Sequence, residues 1–123
     1  MYEITIETVF AASHALHLPG GRDEPLHGHN WPVAVTVAAS ELDEIEAVMD
    51  FHDLEAIVAD LIAPMHNHHL NDVGPFADGR VNPSAERVAW WIGERVAERL
   101  PKRVHLVAVR VGEAPGCAAT WRP

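Results

Sequence analysis

Tyr2, Ile4, Ile6, Thr8 and Phe10 alternate with Glu3, Thr5, Glu7 and Val9. A period of two in β-branched and aromatic residues predicts a strand. Pro19-Gly20-Gly21 marks a loop, and Trp31, Val33, Val35, Val37 and Ala39 form a second alternating run. The period then changes. Leu54, Ile57, Val58, Leu61 and Ile62 recur at helical spacing behind Asp50, whose carboxylate suits an N-cap, and Pro64 ends the run. Residues 65 to about 81 read as a loop. Asn82-Pro83-Ser84-Ala85-Glu86 reads as a second helix start, with Pro83 in the first turn and Asn82 or Ser84 as cap. Val88, Ala89, Ile92, Val96 and Leu100 are its apolar stripe, with one of Trp90 and Trp91 facing the core. Residues 104–111 are a third strand, 112–116 a turn and 117–121 a short fourth strand.

The order ββ-αα-ββ is an α+β class: an antiparallel sheet with both helices on one face. At 123 residues the chain suits a single domain, 1–123. Four strands leave two open sheet edges, which predicts a homo-oligomer whose sheets join edge to edge.

Composition adds exclusions. Nine Lys+Arg against eighteen Asp+Glu give a net charge of −9, which disfavours nucleic acid and multiply phosphorylated substrates. No apolar run approaches the ~20 residues of a membrane helix, and residues 1–15 lack a secretory pattern. With Cys117 the only cysteine, no intrachain disulfide can form, and a soluble cytoplasmic protein is expected.

Seven of the nine histidines are clustered: His14 and His17, His27 and His29, then His66, His68 and His69, while His52 and His105 stand alone. The loop joining the first two strands holds four of them. In His27-Gly28-His29 an extended backbone points both imidazoles to one side, and pairing of the strand ends brings His14 near. Three neutral imidazoles with one open position describe a catalytic zinc site, with Asp23 or Glu24 available to orient a ring. An isolated His-x-His is also a common surface feature. His66 and His68 would serve as proton carriers or as solvated loop residues, and His69 reads as the latter. Glu113 would accept two N–H bonds from a guanidine-like ligand edge, or would be a solvated turn residue. Glu86 divides between ligand contact and first-turn carboxylate, and Ser84 between ligand contact and cap.

Taken together, Phe10-Ala11-Ala12-Ser13-His14, Leu26-His27-Gly28-His29-Asn30-Trp31, Met49-Asp50-Phe51-His52-Asp53-Leu54, Leu70-Asn71-Asp72, Asn82-Pro83-Ser84-Ala85-Glu86 and Glu113-Ala114-Pro115 span the chain. In order and spacing they resemble the 6-pyruvoyl-tetrahydropterin synthase and 6-carboxytetrahydropterin synthase family. The resemblance implies a tunnelling fold whose subunits form trimeric β-barrels stacked into a homohexamer. It implies Zn²⁺ on His14, His27 and His29, and a pterin ring held by Glu113 with Ser84 and Glu86. It also implies a chemistry: zinc engages the side-chain hydroxyls of 7,8-dihydroneopterin triphosphate, a cysteine supported by an Asp-His pair removes a proton, and triphosphate leaves.

This chain departs from that pattern at the chemistry. The family cysteine position is Asp23, followed by Glu24, and the Asp-His pair is replaced by His66 and Asn67. The expectation is a pterin-binding homologue that does not eliminate triphosphate. One alternative is a zinc-dependent lyase or synthase acting on a dihydropterin side chain, with Asp23, Glu24 or His66 as substitute base. A second is a metal-binding protein.

Overall fold

The computed structural model describes residues 1–123. The strands are β1 (Tyr2–His14), β2 (His17–Leu18), β3 (Arg22–Asp23), β4 (His27–Ala39), β5 (His68–His69), β6 (His105–Ala114) and β7 (Cys117–Trp121). The helices are α1 (Phe51–Ile62), between β4 and β5, and α2 (Ala85–Arg99), between β5 and β6. Two single 3₁₀ turns, Leu70–Asp72 and Gly74–Phe76, lie between β5 and α2.

The main sheet runs β5-β1-β4-β6-β7, antiparallel except where β5 joins β1 in parallel at Ala12 and Ser13. The expected α+β arrangement is present, with additions. The loop after β1 contains a two-stranded hairpin, β2–β3, and the loop after α1 adds β5.

Even-numbered residues of β1 and odd-numbered residues of β4 share a face, because Phe10 pairs with Trp31 and Ala12 with His29. That face carries Ile6, Phe10, Trp31, Val33, Val35 and Val37, all buried, and it packs on Leu54, Val58, Val88 and Ile92. Both helices therefore cover one side of the sheet. Trp91 joins this core, while Trp90 lies beneath the Arg87 guanidinium.

Each helix begins at a polar cap. Asp50 accepts from the His52 N–H at 2.8 Å, and Ser84 accepts from the Arg87 N–H at 3.2 Å. Pro83 precedes the Ser84 cap and so sits outside the first helical turn, contrary to the sequence expectation. Asn82 has a different use. Its side chain accepts from the His17 N–H at 2.7 Å and donates to the His17 carbonyl at 3.1 Å, acting as a substitute strand partner. Asn71 does the same for Ala15, at 3.0 and 2.7 Å. These two amides hold the chain just past His14. No helix is long and apolar enough to cross a membrane.

Candidate metal centre

β1 and β4 extend further than their alternating runs, so the histidines lie inside strands. His14 pairs with His27, and Ala12 with His29. Alternation then sends His14, His27 and His29 to the core-facing side, at the end of the sheet where α2 begins. His14 is 1% exposed. Trp31 supports the group: its ring lies 4.2 Å from that of His29 and 4.7 Å from that of His14. Gly28 is not needed to clear space between the imidazoles. A Cβ there would meet the Ala12 carbonyl at 3.6 Å and the Ser13 Cβ at 3.7 Å, both ordinary contacts.

The hydrogen bonds of the three rings fix their tautomers. His14 Nδ1 lies 2.7 Å from the Pro83 carbonyl, His27 Nδ1 3.1 Å from that of Pro25, and His29 Nδ1 2.9 Å from that of Asn30. A carbonyl only accepts, so each Nδ1 carries the proton and each neutral ring presents an Nε2 lone pair. Those lone pairs converge. His14 Nε2 and His27 Nε2 are 3.0 Å apart. Glu113 Oε1 lies 3.3, 3.7 and 3.4 Å from Nε2 of His14, His27 and His29 respectively. His29 Nε2 is buried with no hydrogen-bond partner.

Four donors within 4.8 Å of one another form a group that could hold a metal ion at its centre. Metal–ligand bonds of about 2.0–2.1 Å place tetrahedral donors about 3.3 Å apart, close to the separations found here. The donor set therefore fits a tetrahedral ion such as zinc. The Pro25 carbonyl, accepting from Nδ1–H, raises the His27 pKa above the usual imidazole value; burial opposes this, and the charges of Glu24 and Glu113 reinforce it.

Glu113 reaches this centre because β6 continues past the expected turn. β6 pairs with β4 only as far as Val111, then with β7 alone. Between Gly112 and Ala114 the register shifts, leaving Glu113 without a partner on β7. Such a bulge re-aims one side chain.

The other candidates divide. Ser84, Glu86, Glu24, Glu113 and Cys117 line one cavity of ≈ 290 Å³ that meets the histidine group at Glu113. Within it Ser84 is the helix cap, and Glu24 Oε1 accepts from the Leu16 N–H at 2.9 Å. Asp23 is turned elsewhere, with Oδ1 2.6 Å from His17 Nδ1. His66 Nδ1 accepts from the Ala11 N–H at 3.1 Å, and its ring is tied to the edge of β1. His68 Nδ1 donates to the His66 carbonyl at 2.7 Å, and His69 Nδ1 lies 3.0 Å from Ser13 Oγ. Neither belongs to the four-donor group. Cys117 was not among the candidate residues. It reaches the cavity wall because the β6–β7 hairpin sets it opposite Ala114, beside Glu113, a pairing that no local motif signals.

Residues 3–123 match the family model described as 6-pyruvoyl tetrahydropterin synthase. The chain is 32% identical over 106 residues to the dihydroneopterin monophosphate aldolase of Pyrococcus furiosus, covering 85% of this chain and 82% of that protein. It is also 32% identical over 111 residues to a putative 6-carboxy-5,6,7,8-tetrahydropterin synthase of Archaeoglobus fulgidus, covering 89% and 86%. Among solved structures, the 6-pyruvoyl tetrahydropterin synthase of Caenorhabditis elegans superposes with a TM-score of 0.79 at 23% identity, over 100% of this chain and 97% of that one. A three-histidine centre on paired strands, a carboxylate at the β6 bulge and a match along nearly the whole sequence lead to one assignment: the chain belongs to the 6-pyruvoyl tetrahydropterin synthase family.

Proposed function

We propose that this protein binds a dihydropterin beside a zinc ion and does not carry out the triphosphate-eliminating synthase reaction. One observation carries this reading: a cavity lined by Glu24, Glu86 and Glu113 meets the three-imidazole group at Glu113, while Asp23 stands in place of the family's thiol and His66 and Asn67 in place of its Asp-His pair. His14, His27 and His29 would hold the ion, which, when bound, supplies Lewis acidity toward side-chain hydroxyls. Glu113 anchors the heterocycle by accepting from its N–H edge, in a charge-assisted pair. Ser84 and Glu86 border the same cavity. The relay is absent because Asp23 is hydrogen-bonded to His17, His66 accepts from a strand N–H, and Asn67 has no titratable proton. The −9 net charge further disfavours a triphosphate.

A second reading is favoured by the named activity of the Pyrococcus furiosus relative: carbon–carbon lyase chemistry on a dihydropterin side chain. Cleavage between two hydroxyl-bearing carbons requires a base for one hydroxyl proton. Of the three substitute bases, Glu24 alone lines the cavity with Glu113.

The open edges of β1 and β7 support assembly of the sheets into a barrel, with a homohexamer as the expected state. The single thiol suits a cytoplasmic setting. Turnover assays with 7,8-dihydroneopterin triphosphate and with 7,8-dihydroneopterin, each with and without added zinc, test the proposal. It expects no triphosphate release. Release at ~1 s⁻¹ or more overturns it, whereas cleavage of dihydroneopterin that is lost in Glu24→Gln selects the lyase reading.

A further inference from the structure

We infer that Glu113 is itself the fourth ligand of the metal in the substrate-free protein, and that the pterin ring must draw this carboxylate off the ion in order to bind. The inference rests on the reading of His14, His27 and His29 as metal ligands and of Glu113 as the pterin anchor.

The geometry is that of a closed site. Glu113 Oε1 stands almost equally far from the three Nε2 atoms, at 3.3, 3.7 and 3.4 Å. These separations, with the 3.0 Å between His14 and His27, average close to the ~3.3 Å edge of a tetrahedron of zinc ligands. The carboxylate has no arginine or lysine partner; its only ion-pair neighbours are the three imidazoles. The tautomers set by Pro83, Pro25 and Asn30 aim lone pairs at it. An oxygen anion facing three imidazole lone pairs calls for positive charge between them, and a metal ion at the centre supplies it to all four donors at once.

Glu113 also has a second direction open to it. Its side chain is 36% exposed, and it borders the cavity shared with Ser84 and Glu86. Its backbone is the unpaired position of the bulge, between Gly112 and Ala114, which pair with β7 and not with β4. If Glu113 turns both oxygens to the two N–H groups of a heterocycle, as the paired acceptance assigned to it requires, it leaves the fourth corner of the ion. Binding the ring therefore opens the coordination position that the side-chain hydroxyls would use. Four protein ligands mark a closed ion, and three mark one with a free corner. In this chain the ligand itself would convert one into the other. By linkage, ring binding and full coordination oppose each other in equal measure.

Cobalt(II) and azide are the probes, with unsubstituted pterin as the ring ligand because it lacks a side chain that could reach the metal. In the cobalt-loaded wild-type protein, azide is expected to change the visible spectrum only after pterin is added. In Glu113→Ala, azide should change it without pterin, and cobalt affinity measured against a chelator should fall by about tenfold or more. Glu113→Gln, which keeps the side-chain volume, should behave as Glu113→Ala. An azide response in the pterin-free wild type equal to that of the variants, with unchanged cobalt affinity, overturns the inference. Failure of the wild type to bind cobalt overturns it together with the metal reading. Absence of pterin binding by fluorescence removes the anchoring reading and the exchange, while the azide comparison between wild type and variants still reports whether Glu113 is a ligand.

Discussion

Each imidazole of the centre is oriented by a backbone carbonyl, and two of those carbonyls belong to prolines, Pro83 and Pro25. The rings are thus set before any ion arrives. His29→Ala removes the buried, unpartnered Nε2. Bound zinc per chain should fall from near one to near zero on elemental analysis, and unchanged metal content would exclude His29. Ser84→Ala tests a different role. Loss of the N-cap should cost about 1 kcal/mol, read as a lowered Tm, independently of any effect on pterin binding. At this scale the histidine set was legible in the sequence, because count, clustering and the i, i+2 spacing of His27 and His29 required only that two strands pair. The place of Glu113 was not. Residue spacing cannot show that a bulge 84 to 99 positions from the other ligands will aim a carboxylate at them. Nor could it show that His66 would spend its Nδ1 on a strand N–H.

Helix α2 and strand β7 meet without intervening side-chain bulk. A Cβ at Gly93 would lie 2.5 Å from the Trp121 ring and 3.3 Å from Leu106 Cδ2. Gly93→Ala should therefore overpack this contact and destabilise the fold by about 1–3 kcal/mol, visible as a fall in Tm of several degrees. A Tm equal to that of the wild type would show that β7 yields freely. Because β7 carries Cys117 and pairs with the bulged end of β6, the same variant should also weaken metal binding. Both helices, β1 and β4 were readable from periodicity, and β6 and β7 were placed as short runs on either side of a turn at 112–116. Their ends were not: β1 and β4 run on through Ala11–His14 and His27–Asn30, where small and polar residues break the apolar alternation. The short strands β2, β3 and β5 have only two residues each, too few to show a period.

For the molecule as a whole, the outer lengths of β1 and β7 present unpaired backbone. Sedimentation should find an assembly of six chains; a monomer at micromolar concentration would contradict the barrel. Stability should also carry a pH signature at the loop before α1. The backbone N–H of Ala47 does most to hold the Asp43 carboxyl below its usual range; desolvation opposes it, and the Ile45 N–H and the Arg103 charge reinforce it. A lowered folded pKa stabilises above the unfolded value of about 3.9 and ceases to do so as pH falls through the folded one. The Tm difference between wild type and Asp43→Asn should be constant near neutrality and shrink on acidification below about pH 4. A difference that persists undiminished in acid would assign it to shape and not to charge.

The central claim is that the carboxylate cavity beside the three histidines accepts a dihydropterin. Calorimetric titration of the zinc-loaded protein with 7,8-dihydroneopterin tests it most directly. The account predicts a saturating heat with one site per chain, abolished in Glu113→Ala. A titration without heat in the wild type, or one unchanged by the substitution, would contradict it.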